Sequence, residues 1–170
     1  GRRDDALALR HKAIEIRRIL CERLPENCEQ RAKLAIDHVL IGDLHRGEPG
    51  HLTSRERYEE ALGIQERLIP VRPNDLGLLD DLGWSYERLA FLAVQTYRLD
   101  AAEALIRSRL DVCKRLQTLE PDVSRTLEAF RSGYWMKGDL ETVEGRLADA
   151  YGSYQQAFAY AKKLYESNRN

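Results

Sequence analysis

The chain has 170 residues, of which 43% are apolar and 32% charged, and its 27 basic and 28 acidic side chains leave a formal charge of −1. This balance argues against a protein that binds nucleic-acid phosphates, which carries excess lysine and arginine, and against an acidic disordered tail. With 11 glycines and 5 prolines, the composition is also not that of a turn-rich all-β protein.

The sequence gives further expectations about where the protein resides. It holds no run of 18 apolar residues and no signal-type N-terminus, so it predicts neither a membrane span nor export. Three cysteines without a C-x-x-C pair are typical of free, buried thiols in a reducing compartment, so a cytoplasmic location is expected. Because Met136 is the single methionine and the chain starts at Gly1, we expect a fragment of a larger protein.

The residues repeat with a period of 48. Prolines keep this interval at Pro25, Pro73 and Pro121. Leucines keep it at Leu20, Leu68, Leu116 and Leu164. Internal periods of 20–50 residues indicate helical or other repeat architectures, because each unit needs a neighbour to bury its apolar face.

Within each period the apolar residues recur in steps of three and four, the spacing that places them on one face of a helix. We predict seven helices, at 3–23, 29–47, 52–71, 75–96, 99–118, 123–144 and 147–167, and no strand. Prolines mark the turns between units, and small or helix-breaking residues mark the turns within them, near 48–50, 96–98 and 144–146. The predicted fold is all-α: one domain, an α-solenoid of antiparallel helical hairpins with units at 3–23, 29–71, 75–118 and 123–167.

Several of these residues resemble the tetratricopeptide repeat (TPR), a 34-residue helix–turn–helix unit. The resemblance is carried by the first-helix and second-helix positions Leu79, Leu82, Gly83, Tyr86, Ala150, Tyr154 and Ala157, with a proline after the second helix. Each helix here is seven residues longer, and seven residues return the apolar face to within about 20° of its start. The chain therefore resembles the extended repeats of bacterial multidomain proteins, in which such arrays accompany kinase, peptidase or NTPase modules.

The resemblance implies that the first helix of each hairpin lines a concave groove. The predicted groove residues are those of the first helices outside the core stripe: Ile36, Val39, Leu40, Asp80, Trp84, Glu87, Arg88, Phe91, Ser132, Trp135 and Met136. Both tryptophans of the chain fall in this set. An apolar, aromatic groove with a charged fringe is typical of a surface that binds a protein or peptide segment.

Other interpretations of the groove stay open at this point. The inner faces of long helices could pack together, which would make Trp84 and Trp135 core residues. A domain of the same parent protein, or a second copy of the chain, could also fill the groove. Two departures from the repeat put local packing in question: Arg109 replaces alanine, and Lys137 replaces isoleucine or leucine.

The chain shows no pattern for catalysis or metal binding. None of H-E-x-x-H, G-x-S-x-G, G-x-x-x-x-G-K or G-x-G-x-x-G occurs. His38 and His45 are two helical turns apart, too far to share an ion, and His38 is expected to be a partly buried, satisfied side chain. The adjacent pairs Asp80–Asp81 and Asp4–Asp5 point to different sides of their helices. We expect no enzymatic activity, no cofactor and no metal.

The leading hypothesis is a non-catalytic scaffold that binds a protein or peptide segment in its concave groove. The alternative is a regulatory or self-associating module of a larger bacterial protein. It rests on the first helix, whose apolar residues Leu7, Ile14, Ile16 and Leu20 have no preceding hairpin to cover them. A repeat that reads RNA would need a basic groove, and the predicted groove is mainly acidic at its fringe, so nucleic acid is not an expected partner. A membrane is not an expected partner either, because the sequence has no long apolar run.

Overall fold

The computed structural model describes residues 2–47, 52–121 and 123–167. Over these ranges the chain forms seven α-helices and no strand, which confirms the all-α class. The helices are α1 (Arg2–Arg23), α2 (Cys28–His45), α3 (Leu52–Leu68), α4 (Leu76–Gln95), α5 (Leu99–Leu119), α6 (Ser124–Val143) and α7 (Leu147–Ser167). The turn predicted at 48–50, His51 and Asp122 lie outside the described residues.

The predicted helix bounds agree with the structure to within two residues, except at the end of α3. This helix ends at Leu68 instead of continuing to residue 71. Pro70 accounts for the difference, because the residue before a proline is disfavoured in the helical conformation and proline itself donates no amide hydrogen bond. None of the helices in the described ranges is both long and apolar enough to cross a bilayer.

The chain divides into two compact units, Gly1–Asp81 and Leu82–Asn170, with the division inside α4. In the first unit, α2 contacts both α1 and α3. Its core contains Ile14, Leu34 and Ile41, with Leu7, Cys21 and Ile64 packed against them. The sequence predicted that the apolar face of α1 has no preceding hairpin to cover it. Because Ile14 is buried with Leu34 and Ile41, α2 covers part of that face.

In the second unit, α6 contacts both α5 and α7. Its core is a cluster of small and aliphatic side chains: Ala90, Ala93, Ala102, Ile106 and Leu140. A stack of three aromatic rings joins α6 to α7, with ring centroids 4.8–6.2 Å apart: Phe130, Tyr134 and Tyr160. The contacts run in opposite order along these two helices, because Thr142 meets Tyr154 while Phe130 meets Tyr160.

One close packing arrangement joins α2 to α3 in the first unit. The ring of the fully buried Tyr58 lies against the backbone of Gly42, where a Cβ atom would clash with it. The Tyr58 hydroxyl donates a 2.8 Å hydrogen bond to Oδ1 of Asp43. A glycine is therefore required to let the ring reach the neighbouring helix.

The same arrangement recurs in the second unit, 96 residues later. Tyr154 lies against Gly138, where a Cβ would stand 2.6 Å from Cε1 of the ring, and its hydroxyl donates a 2.7 Å hydrogen bond to Asp139. The positions midway between them hold Ala90 and Ile106, both buried in one cluster. In this middle period a smaller residue on α5 accompanies a larger one on α4, and both are buried.

Candidate functional site

Four predicted groove residues lie in the first unit. Ile36 is exposed on α2, while Val39 and Leu40 on the same helix and Asp80 on α4 are half-buried. The residue after Ile36 is the buried Asp37, which accepts hydrogen bonds from Arg10 at 2.9 Å and Arg17 at 2.6 Å. These two arginines join α1 to α2, and Ile36 is left at the surface beside them.

Trp84 on α4 lies close to two guanidinium groups. The Cζ atom of Arg88, one turn away on the same helix, is 5.3 Å from the centroid of the indole ring. The Cζ atom of Arg109, on α5, is 5.8 Å from it. Both distances are within the range of cation–π attraction. Trp84 is half-buried, and Arg109, one of the two arginines near its ring, is buried in the core.

Arg109, Glu87 and Ser132 form a polar cluster that joins three helices. Nη2 of Arg109 donates to the Ser132 hydroxyl at 3.1 Å and lies 3.5 Å from Oε2 of Glu87. The Ser132 hydroxyl in turn donates to Oε2 of Glu87 at 2.7 Å. Ser132 is buried, so this predicted groove residue links α4 to α6 and is not available to a partner.

Gly83 explains how the core accepts Arg109. A Cβ atom at residue 83 would clash with Nη1 of Arg109, so the guanidinium occupies the space of the missing side chain. In the first unit the two equivalent positions hold Ala35 and Ala61, both fully buried. Gly83 and Arg109 thus replace the alanine pair of the preceding period. Both remain buried, so the core accommodates the arginine that departs from the repeat.

The largest exposed rings on α4 and α6 are Phe91 and Trp135, with 42% and 53% of their surfaces accessible. Trp135 touches Tyr154 of α7 edge-on, with centroids 5.4 Å apart. Met136, also predicted to line the groove, is partly buried and packs against the core cluster instead. The two tryptophans therefore differ: Trp84 is half-buried against charged groups, and Trp135 is open to solvent.

The two rings lie at a similar level along their helices. Glu87 of α4 meets Ser132 of α6, and further along both helices Ala93 shares a core cluster with Leu140. The contacts advance in the same direction, so α4 and α6 run the same way. Phe91 and Trp135 each follow the Glu87–Ser132 contact by one helical turn. We name Trp84, Arg88, Phe91 and Trp135 the aromatic surface.

A separate open cleft of about 680 Å³ lies among α5, α6 and α7. Its most buried charge is Glu141, which accepts a 2.6 Å hydrogen bond from Ser153 and lies 3.5 Å from both Lys137 and Arg146. Lys137, which replaces Ile41 and Leu89 of the other units, thus reaches out of the apolar core to a carboxylate. Three acidic and three basic side chains line the cleft, so its formal charge is balanced.

Burial shifts the pKa values of two titratable side chains, His38 and Asp81. His38 is buried, with Nδ1 2.6 Å from Oε2 of Glu60, and its burial lowers the pKa of the imidazole while Glu60 opposes that shift. Burial, together with the charges of Asp80 and Asp75, raises the pKa of Asp81 to about 6. In the part of the chain that the structure describes, no three His, Cys, Asp or Glu side chains are grouped to hold a metal ion.

The cysteines are free, and Cys113 is buried as predicted, whereas Cys21 and Cys28 are half-buried. Sequence reasoning did not find the Arg109–Glu87–Ser132 cluster or the cleft at Glu141. The sequence does contain a sign of each: a charged residue stands where another period has alanine. Arg109 is equivalent to Ala61 and Ala157, and Glu141 is equivalent to Ala93.

Comparisons with known proteins give no match: no family model fits the chain, and searches of curated proteins and of solved structures find no significant similarity.

Proposed function

We propose that this protein is a non-catalytic helical-repeat scaffold that binds a protein or peptide segment on its aromatic surface. The observation that carries the proposal is the exposure of Phe91 and Trp135 at one level of two neighbouring helices. Aromatic and arginine side chains supply most of the energy at protein–protein contacts, because they bury a large area at a low cost in side-chain entropy. Arg88, stacked on Trp84, adds a cation at the edge of the same surface.

The proposal includes a finer fold: antiparallel helical hairpins stacked as a TPR-like solenoid. Its support is the opposite order of contacts along α6 and α7, and the return of the Tyr–Gly–Asp arrangement after two periods of 48 residues. A repeat of this kind presents an extended surface built from equivalent helix faces, which suits it to holding a partner. An apolar surface with a few aromatic anchors fits an amphipathic helix or an extended segment.

A displayed library of random 16-residue peptides tests the proposal. Selected peptides are titrated against the protein and its variants by isothermal titration calorimetry, a readout that does not depend on the tryptophans. We expect the double variant Phe91→Ala/Trp135→Ala to bind at least tenfold more weakly, because each large aromatic anchor contributes about 1–2 kcal/mol or more. Both rings are exposed, so the double variant should fold normally, as circular dichroism can show.

The matched control is Leu52→Ala, which removes an exposed apolar side chain from α3 in the first unit. It should leave peptide affinity unchanged. Equal affinities of the wild type, the double variant and the control would refute the assignment of the aromatic surface. Failure to select any peptide that binds the folded protein would refute the proposed function itself.

A second candidate function is self-association through α1, which is favoured by the exposure of Leu9, Ile16 and Ile19 on that helix. Ile16 is 60% exposed, whereas its equivalent Val112 in α5 is buried. Sedimentation velocity over a wide concentration range tests this candidate. A dimer that Ile16→Glu dissociates would support it, and a monomer at every concentration would exclude it.

A further inference from the structure

Helix α7 carries a row of apolar residues beside the face that it buries. Its outer members are large side chains that are 62–72% exposed: Leu147, Tyr151, Phe158 and Tyr165. Tyr154 and Ala161, both half-buried, fill the positions between them, so that steps of four and three alternate from residue 147 to residue 165. At 100° per residue, the six side chains point within about 40° of one direction. We name these six residues the α7 seam, because this spacing is typical of a helix that pairs with another helix along its length.

Packing between successive 48-residue periods does not account for the α7 seam. The residues one period before Tyr151 and Tyr165 are Glu103 and Gln117 of α5, which are polar and exposed. An aromatic side chain is therefore not needed at either position for such a helix to pack on its neighbours. Single exposed apolar residues are ordinary in folded proteins, whereas a row of them along one helix marks a surface that binds another element.

The exposed area of the α7 seam is close to what one partner contributes to a small specific interface. A leucine, tyrosine or phenylalanine side chain buries roughly 150–220 Å² when it is fully covered. With 62–72% of that area accessible, the four outer residues present about 500 Å² of apolar surface. Two such faces would bury about 1,000 Å², the lower bound for a specific interface, before the residues at their edges are counted.

We propose that the α7 seam pairs with the α7 seam of a second copy of this chain and forms a two-fold symmetric dimer. A two-fold axis brings identical faces together, so the chain needs no separate complementary surface. Because both helices have the same alternating steps, the side chains of each fit between those of the other over about 27 Å. This dimer goes beyond the proposed function, since the α7 seam shares no residue with the aromatic surface or with α1.

The two α7 helices of the dimer run antiparallel. Lys162 is exposed at the edge of the α7 seam, near its C-terminal end. In a parallel pair the two Lys162 side chains would lie at one level and repel each other, whereas in an antiparallel pair centred on residue 156 they are about 18 Å apart along the helix. Antiparallel pairing also places the C-terminal end of each helix beside the N-terminal end of the other, which the helix dipoles favour.

Sedimentation velocity over concentrations from about 1 µM to about 1 mM tests the dimer. We expect a dimer that dissociates on dilution, and Phe158→Glu should raise its dissociation constant about 100-fold or more, because each copy loses an aromatic contact and gains a charge. Phe158 is 72% exposed, so this variant should fold normally, as circular dichroism can show. The matched control is Ile16→Glu, which places the same charge at an exposed apolar position of α1 and should leave the dimer intact.

A mixture of oppositely charged variants tests the contact and its orientation. Phe158→Glu and Phe158→Lys should each be monomeric and should form a heterodimer when mixed, because the two residues 158 are about 6 Å apart along the antiparallel helices. Tyr165→Glu and Tyr165→Lys should not restore each other, since the two residues 165 lie about 27 Å apart at opposite ends. The proposal is overturned by a monomer at every concentration, by a dimer that Phe158→Glu leaves intact, or by a heterodimer of the Tyr165 variants alone.

Discussion

Tyr97 and Gly145, which are 48 residues apart, both adopt left-handed backbone conformations, with φ of 55° and 77°. Each follows the end of a first helix, α4 or α6. The next amide in each case closes the same capping bond: Arg98 donates to the carbonyl of Ala93, and Arg146 to that of Glu141, both at 2.8 Å. This bond and its companion form a Schellman motif, which requires a left-handed residue after the helix.

Replacement of Tyr97 by glycine should stabilise the protein. A side chain with a Cβ pays about 1 kcal/mol for the left-handed conformation, and glycine does not. Tyr97 is 78% exposed, so little packing is lost. The greater freedom of glycine in the unfolded chain offsets part of the gain. We expect the free energy of unfolding to rise by about 0.5 kcal/mol in urea denaturation.

The reciprocal control is Gly145→Ala, which places a Cβ in the same conformation. It should lower the free energy of unfolding by about 1 kcal/mol. The space around Gly145 is open, so backbone strain alone would account for the loss. A destabilised Tyr97→Gly variant would mean that the tyrosine ring contributes more to the turn than its exposure indicates.

Much of the fold follows from the sequence because helix periodicity and proline spacing are local signals. The stripes of α4 and α5 were predicted from steps of three and four, and Leu79, Leu82, Leu89, Ala102 and Leu116 are all buried. The prediction placed the end of α3 too late because the pattern of apolar residues continues past Leu68. In the structure the helix ends at Leu68, since Pro70 disfavours the helical conformation of the residue before it. Of the two Schellman motifs, only the one at Gly145 could be predicted from the sequence, because glycine commonly adopts a positive φ. Tyrosine rarely does, so the motif at Tyr97 could not be predicted.

The contribution of Arg109 can be divided between volume and charge. Its Nε and Nη1 atoms have no hydrogen-bond partner among the described residues, while Nη2 is paired. Arg109→Ala should destabilise the protein by about 2–4 kcal/mol because it leaves a cavity. Arg109→Met keeps most of the volume and removes the two nitrogen atoms that have no partner, so we expect stability within about 1 kcal/mol of the wild type. Chemical denaturation of both variants measures the difference.

Glu87 supplies the control for this comparison, since it stays paired with Ser132 in either variant. Glu87→Gln keeps the shape of the side chain and removes its charge. The expectation is wrong if Arg109→Met lowers the free energy of unfolding as much as Arg109→Ala does. If Glu87→Gln lowers it by the same amount, attraction between Arg109 and Glu87 contributes more than packing at this position.

Asp81 should make stability depend on pH. Burial, and then the charges of Asp80 and Asp75, raise the pKa of Asp81 to about 6, above its ordinary value of 3.8. At Asp81 the folded state thus binds a proton more readily than the unfolded state, so the contribution of this residue to stability should rise as pH falls from 7 toward 4. Asp81→Asn should be more stable than the wild type at pH 7 by about 1 kcal/mol, after allowance for solvent screening of this half-buried group.

The difference between Asp81→Asn and the wild type should disappear at pH 4, where the carboxyl group is protonated in the folded state. Urea denaturation at pH 7, 5.5 and 4 measures it. Asp80→Asn is the matched control: it removes a neighbouring charge, so it should lower the pKa of Asp81 and give a smaller stabilisation. A stabilisation by Asp81→Asn that is constant with pH would show that the charge of Asp81 is not its cause.

The candidate site was less predictable than the fold. Phe91, predicted to line the groove, is exposed, but its position in the 48-residue period does not tell whether a neighbouring helix covers such a residue. Ser132 and Met136 are drawn into contacts with α4 and the core, whereas Trp135 is not covered. These outcomes depend on contacts between successive helices, which local periodicity does not encode.

The central claim is that the paired positions represented by Gly42 and Tyr58 are equivalent in every 48-residue period, and transfer of one residue pair between periods tests it most directly. Gly42→Ala should clash with Tyr58 and destabilise by about 2 kcal/mol, and Tyr58→Ile alone should leave a cavity beside the glycine. The double variant recreates the Ala90–Ile106 pair of the middle module. A double-mutant cycle by urea denaturation compares the free energies of unfolding. We predict that the double variant is destabilised by less than the sum of the two single variants, with a difference of at least about 1.5 kcal/mol. Losses that add to within about 0.5 kcal/mol would contradict the claim.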